Sequence, residues 1–537
     1  MNLAGSGRLR RGSDCGPAFE GPDLVRLLMS PRRPLQVLFD EAARKIGLAP
    51  EDVAVALPQA ATSIGRLPPL YPEWLGDRRF TETHGIRFPY VVGEMARGIA
   101  TADMVVAAAG AGVLGFFGAA GLPIAEVSRA VDRIGAALGP RGASWGVNLI
   151  HSPQMPEMED EVVNLCLSRN VTRVSASAFM NLRPSVVRFA CQGLTRAADG
   201  RPMRRTYVFA KVSRPEVAAQ FMSPPPAAML EALRSAGQIT ADEAAIAATI
   251  PVAEDITAEA DSGGHTDNRP LTVLLPRLLQ LRAEIARGLP LAAAIRIGAA
   301  GGIATPNAAS AAFALGASYV LTGSINQMAV ESGISPLARA MLADADIADT
   351  VMAPAADMFE LGVKVQVLRK GTMFAGRAGR LYDIYRNHQS LDDVPAAVRT
   401  ELERDIFRKS LDEVWTETHE FFKDRDPGAL TRAQQDAHHK MALLFCWYLG
   451  LSSRWPVTDE SRRLDFQLWA GPAIGAFNNW TKGSFLAVPE QRTVAQIALN
   501  LLEGAAIVAR AQQARSFGVD VPAEAYSPPP RPITTGS

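Results

Sequence analysis

The sequence predicts an α/β protein built on a (β/α)8 TIM barrel, with a C-terminal mainly helical cap subdomain and a small N-terminal extension. Three observations carry that prediction. First, eight short apolar runs recur: "FPYVVGEM" (88–95), "GVLGFF" (112–117), "SWGVNLI" (144–150), "VTRVSAS" (171–177), "YVFAKVS" (207–213), "DITAEAD" (255–261), "AIRIGAA" (294–300) and "SYVLTGS" (318–324). Second, helical stretches such as "PEVAAQFMS" and "PNAASAAFALGA" separate them, and strands alternating with helices imply βαβ units and a parallel sheet. Third, most runs are apolar on both faces, as strands covered on both sides must be. Eight such units over about 240 residues suit a closed barrel better than an open doubly wound sheet.

Residues 1–35 read as a disordered N-terminus, and 36–85 as a small region closing in the turn-rich "RLPPLYPEWLGD". The barrel spans 86–345. The cap is placed at 346–485, where 392–425 and 428–451 are charged and amphipathic, in the manner of surface helices. A C-terminal helix within 486–520, "RTVAQIALNLLEGAAIVARAQQA", has apolar residues at helical spacing and should pack back onto the body. The tail 521–537, ending "SPPPRPITTGS", reads as disordered.

Composition narrows the function. Fifty-five basic residues balance fifty-five acidic ones, so whole-chain charge gives no case for nucleic acid or an anionic membrane. Cys15, Cys166, Cys191 and Cys446 are scattered without CxxC pairing, so no metal site and no disulfide framework is readable. A reduced, cytoplasmic protein is the simplest inference. The uncharged stretch from Met104 to Ala125 is long enough to span a bilayer. Its five glycines and one proline suit a soluble helix-turn-strand better.

Within it, Gly110, Gly112 and Gly115 satisfy G-x-G-x-x-G, but a helix precedes the motif and a strand follows. The dinucleotide fingerprint needs the opposite order, so these glycines read as close-packing residues. Two later turns are more informative. The seventh strand ends in Gly301-Gly302, whose bare N–H groups can approach a phosphate. Thr305-Pro306 then makes an N-cap and first-turn pair that points a helix's positive end at the loop. The eighth strand ends in Gly323-Ser324. Barrels often bind phosphate with these two loops; the bland reading is a pair of ordinary tight turns.

The sixth strand ends in Gly263-Gly264-His265. The glycines allow close approach to a flat ligand, and the imidazole is the candidate catalytic group at the barrel mouth, although a lone histidine is usually structural. Lys211 ends the fifth strand as a fixed positive charge for an anionic ligand or a snorkelling stem. Asn148 at the end of the third is a buried amide that needs partners, which a ligand can supply. These features converge on one mouth and suit a planar, polar-edged, phosphorylated cofactor. FMN fits better than pyridoxal phosphate, since a lysine beside a phosphate site does not by itself define a Schiff base.

The chain resembles the nitronate monooxygenase and FMN-dependent enoyl-reductase superfamily, and more closely the PfaD family of trans-acting enoyl reductases. The likeness rests on "GEMARGIATADMVVAAAGAGVLGFFGAAGL", "GVNLIHSP", "AKVSRPEVA", "EADSGGHTDNRPL", "IRIGAAGGIATPNAASAAFALGASYVLTGSINQ", "KVQVLRKGTMFAGRAGRLYDIY" and "RRLDFQLWAGPAIGAFNNWTKGSFL". It implies FMN with Gly302, Gly323 and Ser324 at its phosphate, and Met95, Asn148, Lys211 and Gly263 along its ribityl chain and ring. It further implies NAD(P)H as reductant and an α,β-unsaturated thioester on an acyl carrier protein as substrate, with His265 orienting the thioester carbonyl or supplying the α-proton. Asp261-Ser262 adds one residue to the nitronate monooxygenase spacing E-A-x-G-G-H, which favours the reductase branch. A nitronate monooxygenase-like oxidase and a non-catalytic barrel component of a synthase are the alternatives. Arg369, Lys370, Arg377, Arg380 and Arg386 form a candidate face for an acidic carrier protein or an ordinary solvated face. A homodimer is one assembly the sequence leaves open.

Overall fold

The eight apolar runs become the eight strands of one closed parallel barrel in the computed structural model, which describes residues 16–51, 59–139, 144–152, 155–423 and 425–534. The strands are β1 Tyr90–Val92, β2 Leu114–Phe117, β3 Trp145–Ile150, β4 Arg173–Ser177, β5 Tyr207–Val212, β6 Asp255–Glu259, β7 Arg296–Ala300 and β8 Val320–Thr322. Pairing of Val320 with Tyr90 and Thr322 with Val92 closes β8 onto β1. The Met104–Ala125 stretch divides into helix Ala102–Gly110 and strand β2, so it spans nothing.

Side chains alternate along each strand, and those turned inward fill the barrel in layers. At the bottom, fully buried Asp255 accepts from Arg296 Nε on Oδ1 and from Nη2 on Oδ2, both at 2.7 Å, while His84 Nε2 sits 3.0 Å from the same Oδ2. His84 comes from helix Arg78–His84, which plugs the barrel floor. Its N-cap is the Asp77 side chain, and it ends on Gly85 at φ +60°, a left-handed turn suited to glycine. Arg173 Nε donates to His84 Nδ1, so the remaining His84 proton lies on Nε2, towards Asp255. The middle layer is aromatic: Phe80 stacks on Tyr319 at 4.2 Å and Phe116 meets Phe209 at 5.0 Å. The top layer is polar and holds Asn148, Lys211 and Glu259, from β3, β5 and β6.

Residues 16–35, expected to be disordered, are ordered. Helix Gly21–Leu28 buries Leu24, Leu27 and Leu28 beside a three-stranded antiparallel sheet, Leu35–Asp40, Lys45–Pro50 and Ala61–Leu67. Most of the tail is ordered too. Trp480 Nε1 donates to the Pro528 carbonyl at 2.9 Å, and Ile533 N to Gln496 Oε1 at 3.1 Å. Both segments are tied down by helix Val494–Ser516. Its buried Glu503 takes Arg32 at 2.7 Å and Arg531 at 2.9 Å, and its buried Arg510 donates to Pro31 O at 2.7 Å. The parts of those two expectations covering 1–15 and 535–537 lie outside the described residues. Among the described residues this helix alone is long and apolar enough to cross a membrane, and 83% of its apolar window is buried in the fold. Gly504 lets it touch Pro306, since a Cβ there would lie 2.5 Å from that ring.

The cap is mainly helical and contains one small sheet. Strands Thr350–Pro354 and Lys364–Leu368 pair antiparallel, and Gly264–His265 from the barrel rim pairs with Lys364–Leu368 as the third strand. Fully buried Asp465 ties the cap helices together. It accepts from Tyr448 Oη at 2.9 Å, pairs with Arg462 Nε at 3.0 Å and also takes Arg377.

Candidate functional site

The C-terminal rim of the barrel carries two turns of bare backbone. Gly301 has φ +85° and Gly302 φ +72°. A Cβ at Gly301 would lie 2.7 Å from the Ala260 and Asp261 carbonyl oxygens, so the turn requires glycine there. At Gly302 nothing lies within 4 Å of that direction, and at Gly323 only Met95 Cγ, at 4.0 Å. Thr305 Oγ1 accepts from Ala308 N at 3.3 Å and opens helix Pro306–Ala314 directly after the first turn. Ser324 opens the short helix after the second. Open backbone beside a helix N-terminus is an arrangement that can accept an anion such as phosphate.

Below it lies the polar layer. Asn148 Nδ2 already donates to Ser177 Oγ at 2.8 Å and Ser175 O at 3.1 Å. Its donors are therefore used, and the carbonyl Oδ1 is what it can offer a ligand. Lys211 is a fixed cation held between two carboxylates: its ammonium is 3.0 Å from Glu94 and 3.2 Å from Glu259. Burial opposes its charge, but the two carboxylates overcome this and raise its pKa above the ordinary lysine value. Burial raises the Glu259 pKa, with Lys211 opposing and Glu94 reinforcing the rise. The cluster presents balanced or slightly negative charge to the mouth.

In the Gly-Gly-His turn, the cap takes the side-chain direction of Gly263: a Cβ there would lie 2.8 Å from Ala470 N and 2.9 Å from Ala470 Cα. Gly264, at φ +82°, faces the Trp469 ring, 3.9 Å from that direction. Gln327 Nε2 clamps the same segment by donating to Trp469 O at 2.5 Å. His265 therefore sits on the seam between barrel and cap, and its Nε2 lies 3.1 Å from Asp357 Oδ1. Burial works against the imidazolium, yet Asp357 and Glu259 outweigh it, so the His265 pKa is raised.

Buried polar atoms without partners gather around this mouth: both oxygens of Glu94, Ser175 Oγ, Asp261 Oδ1, Ser262 Oγ, Asn326 Oδ1, Gln327 Oε1 and Gln366 Oε1. The Glu94 ion pair is thus a close charge contact without an aligned hydrogen bond. An orphaned buried polar group costs about 1–3 kcal/mol, and such a concentration at one mouth fits a polar-edged ligand. The residues present fit FMN, with a cradle for its phosphate and polar groups along its ring edge. Glu94, Glu259, Asp357, Gln327 and Trp469 were missed as site residues. All of these but Asp357 stood within the quoted motifs; Gln327 directly follows β8, and the cap brings in Asp357 and Trp469. The candidate carrier face is largely spent internally: Arg377 pairs with Asp465, Arg380 with Glu401 at 2.6 Å, and Lys370 with Asp344 at 3.0 Å.

Comparison with known proteins agrees with this geometry. Residues 77–376 match the nitronate monooxygenase family, and 388–466 match the inserted helical domain of [acyl-carrier-protein] S-malonyltransferase. The chain is 46% identical over 450 residues to a polyunsaturated fatty acid synthase component of Thraustochytrium, covering 82% of this chain and 30% of that protein. It is 41% identical to the polyketide biosynthesis protein PksE of Bacillus subtilis, covering 81% and 56%. The chain thus spans about a third to a half of these relatives. Among solved structures, the enoyl reductase domain of MlnA from the Bacillus amyloliquefaciens macrolactin cluster is 37% identical, with a TM-score of 0.79, covering 82% of this chain and 99% of that one. Fold and likeness together define an oxidoreductase barrel. The chain belongs to the nitronate monooxygenase family, in its PfaD-like enoyl reductase branch.

Proposed function

We propose that the protein is an FMN-dependent, NAD(P)H-consuming enoyl reductase. It acts in trans on α,β-unsaturated thioesters carried by an acyl carrier protein in polyketide or polyunsaturated fatty acid synthesis. The observation that carries this reading is the likeness to the MlnA enoyl reductase domain along nearly its whole length. When bound, FMN supplies hydride chemistry.

The chain's own residues do the rest. The turns at Gly301-Gly302 and Gly323-Ser324 would hold the FMN phosphate through backbone N–H groups, aided by the helix at Pro306. Met95, the Asn148 carbonyl, Lys211 and the backbone at Gly263-Gly264 would hold its ribityl chain and ring. The Glu94–Lys211–Glu259 cluster keeps the floor from carrying a bare positive charge. His265 holds the proton that the substrate α-carbon takes up, and its raised pKa keeps it protonated to higher pH than an ordinary histidine. The cap residues from Leu468 to Gly471 close the seam and exclude water.

Purified protein should oxidise NAD(P)H when given a crotonyl thioester and not without it. The second reading is the nitronate oxidase that the family match describes. Oxygen-dependent consumption of a nitronate with no turnover of crotonyl thioester would select it and overturn the reductase.

A further inference from the structure

We infer that Asp357, a residue of the cap, is the positioning residue for His265, so that the barrel's proton donor is completed only by the cap. The inference rests on the reductase reading and deepens it.

The geometry shows a pair built from both sides. His265 is fixed by its own pairing with Val365, beside Gly264 paired with Gln366. Gly263, two residues earlier, is trapped against Ala470. Asp357 stands in the connection between the two cap strands, and that connection is anchored by Phe359, which is buried among Tyr382, Tyr385 and Phe445 at 5.4, 5.3 and 6.4 Å. Neither partner is therefore a free-swinging surface group, although His265 and Asp357 remain 43% and 58% exposed at the mouth. An exposed pair on flexible side chains would contribute little. Here both backbones are held, and the bond selects Nε2, leaving Nδ1 as the nitrogen available to a substrate. A histidine oriented by a carboxylate on its far nitrogen is the usual arrangement for directed proton transfer.

The charges facing the pair can be named from each element. Glu259 on β6 reinforces the imidazolium. Arg97, on the loop after β1, bears on Asp357 while its own Nη2 reaches Gly450 O at 3.5 Å. Cys446 on helix Ala437–Ser452 donates to Ala356 O at 3.2 Å, beside Asp357.

The test uses the full-length protein and its Asp357→Asn, Asp357→Glu and His265→Ala variants. Asp357→Asn should lower the NMR titration midpoint of the His265 imidazole, assigned by its loss in His265→Ala, by about half a pH unit or more. It should cut kcat about tenfold or more with KM within about twofold, and move the basic limb of the rate profile to lower pH. Asp357→Glu should recover part of both effects. In a His265→Ala background, Asp357→Asn should change nothing further, since it acts only through the imidazole. An unmoved His265 titration, or a full additional rate loss in the His265→Ala background, would overturn the inference. A wild type that titrates as described but reduces no enoyl thioester would sink the reductase reading and leave the coupling standing. Should Asp357→Asn fail to fold, Asp357→Ser carries the same two readouts.

Discussion

Replacing Arg296 with methionine should expose how much of the fold hangs on the ionic plug beneath the barrel. Asp255 has no solvent access and is held by two 2.7 Å bonds from Arg296 and one 3.0 Å contact from His84. Burial alone would raise its pKa, but His84 and Arg296 lower it from 3.8 to about 2. That change corresponds to about 2 kcal/mol at neutral pH. Removing Arg296 leaves the carboxylate buried with only a neutral imidazole, for which losses of about 3–5 kcal/mol are typical. The larger figure includes the desolvation cost of the stranded charge, so about 3 kcal/mol is the expectation. For a chain of this size it should lower the melting midpoint by about 3–5 °C. The assay is far-UV circular dichroism through thermal and urea unfolding at neutral pH. Adding Asp255→Asn to Arg296→Met removes the stranded charge, so the double variant should be more stable than Arg296→Met alone. A loss under about 1 kcal/mol, or a double variant as poor as the two single losses summed, would refute the reasoning.

Three further outcomes follow from the same contacts. Acid should destabilise the protein in two stages: buried His84, its pKa lowered first by burial, resists protonation as pH falls below 6.5, and Asp255 withdraws its contribution as pH falls from 3.8 towards 2; unfolding midpoints measured from pH 7 to pH 3 should fall throughout, and a flat profile would contradict this. Gly302→Ala meets no atom but demands a left-handed alanine at φ +72°, costing about 1–2 kcal/mol; it should leave the fold intact and lower flavin retention, as read by cofactor released per chain. Gly263→Ala forces its methyl against the Ala470 backbone, so it should loosen the cap, raise protease sensitivity near residues 464–471 and reduce turnover; an unchanged digestion pattern would count against the clamp.

The barrel was legible because each strand is a local apolar run ending at a glycine or polar residue, and the closure of β8 onto β1 follows once eight such runs are counted. The bare turn and the helix start after β7 were legible for the same reason, since Gly301-Gly302 and Thr305-Pro306 announce their geometry within six residues. Order in 16–35 and in the tail was not, because it depends on Arg32, Arg510 and Arg531 meeting partners hundreds of residues away or across the fold. The pairing of Lys211 was not legible, because the sequence does not show that Glu94, more than a hundred residues earlier, and Glu259 share its pocket. The contact of Gly263 with the cap was not legible for a similar reason: the chain that fills its side-chain space, Trp469-Ala470, lies about two hundred residues downstream.

The most direct measurement is the visible absorption spectrum of the protein as purified, with the released chromophore identified by mass. The expected result is a yellow protein carrying close to one FMN per chain, retained less well when Gly302 is substituted. A colourless protein that takes up no FMN at micromolar concentration would contradict it.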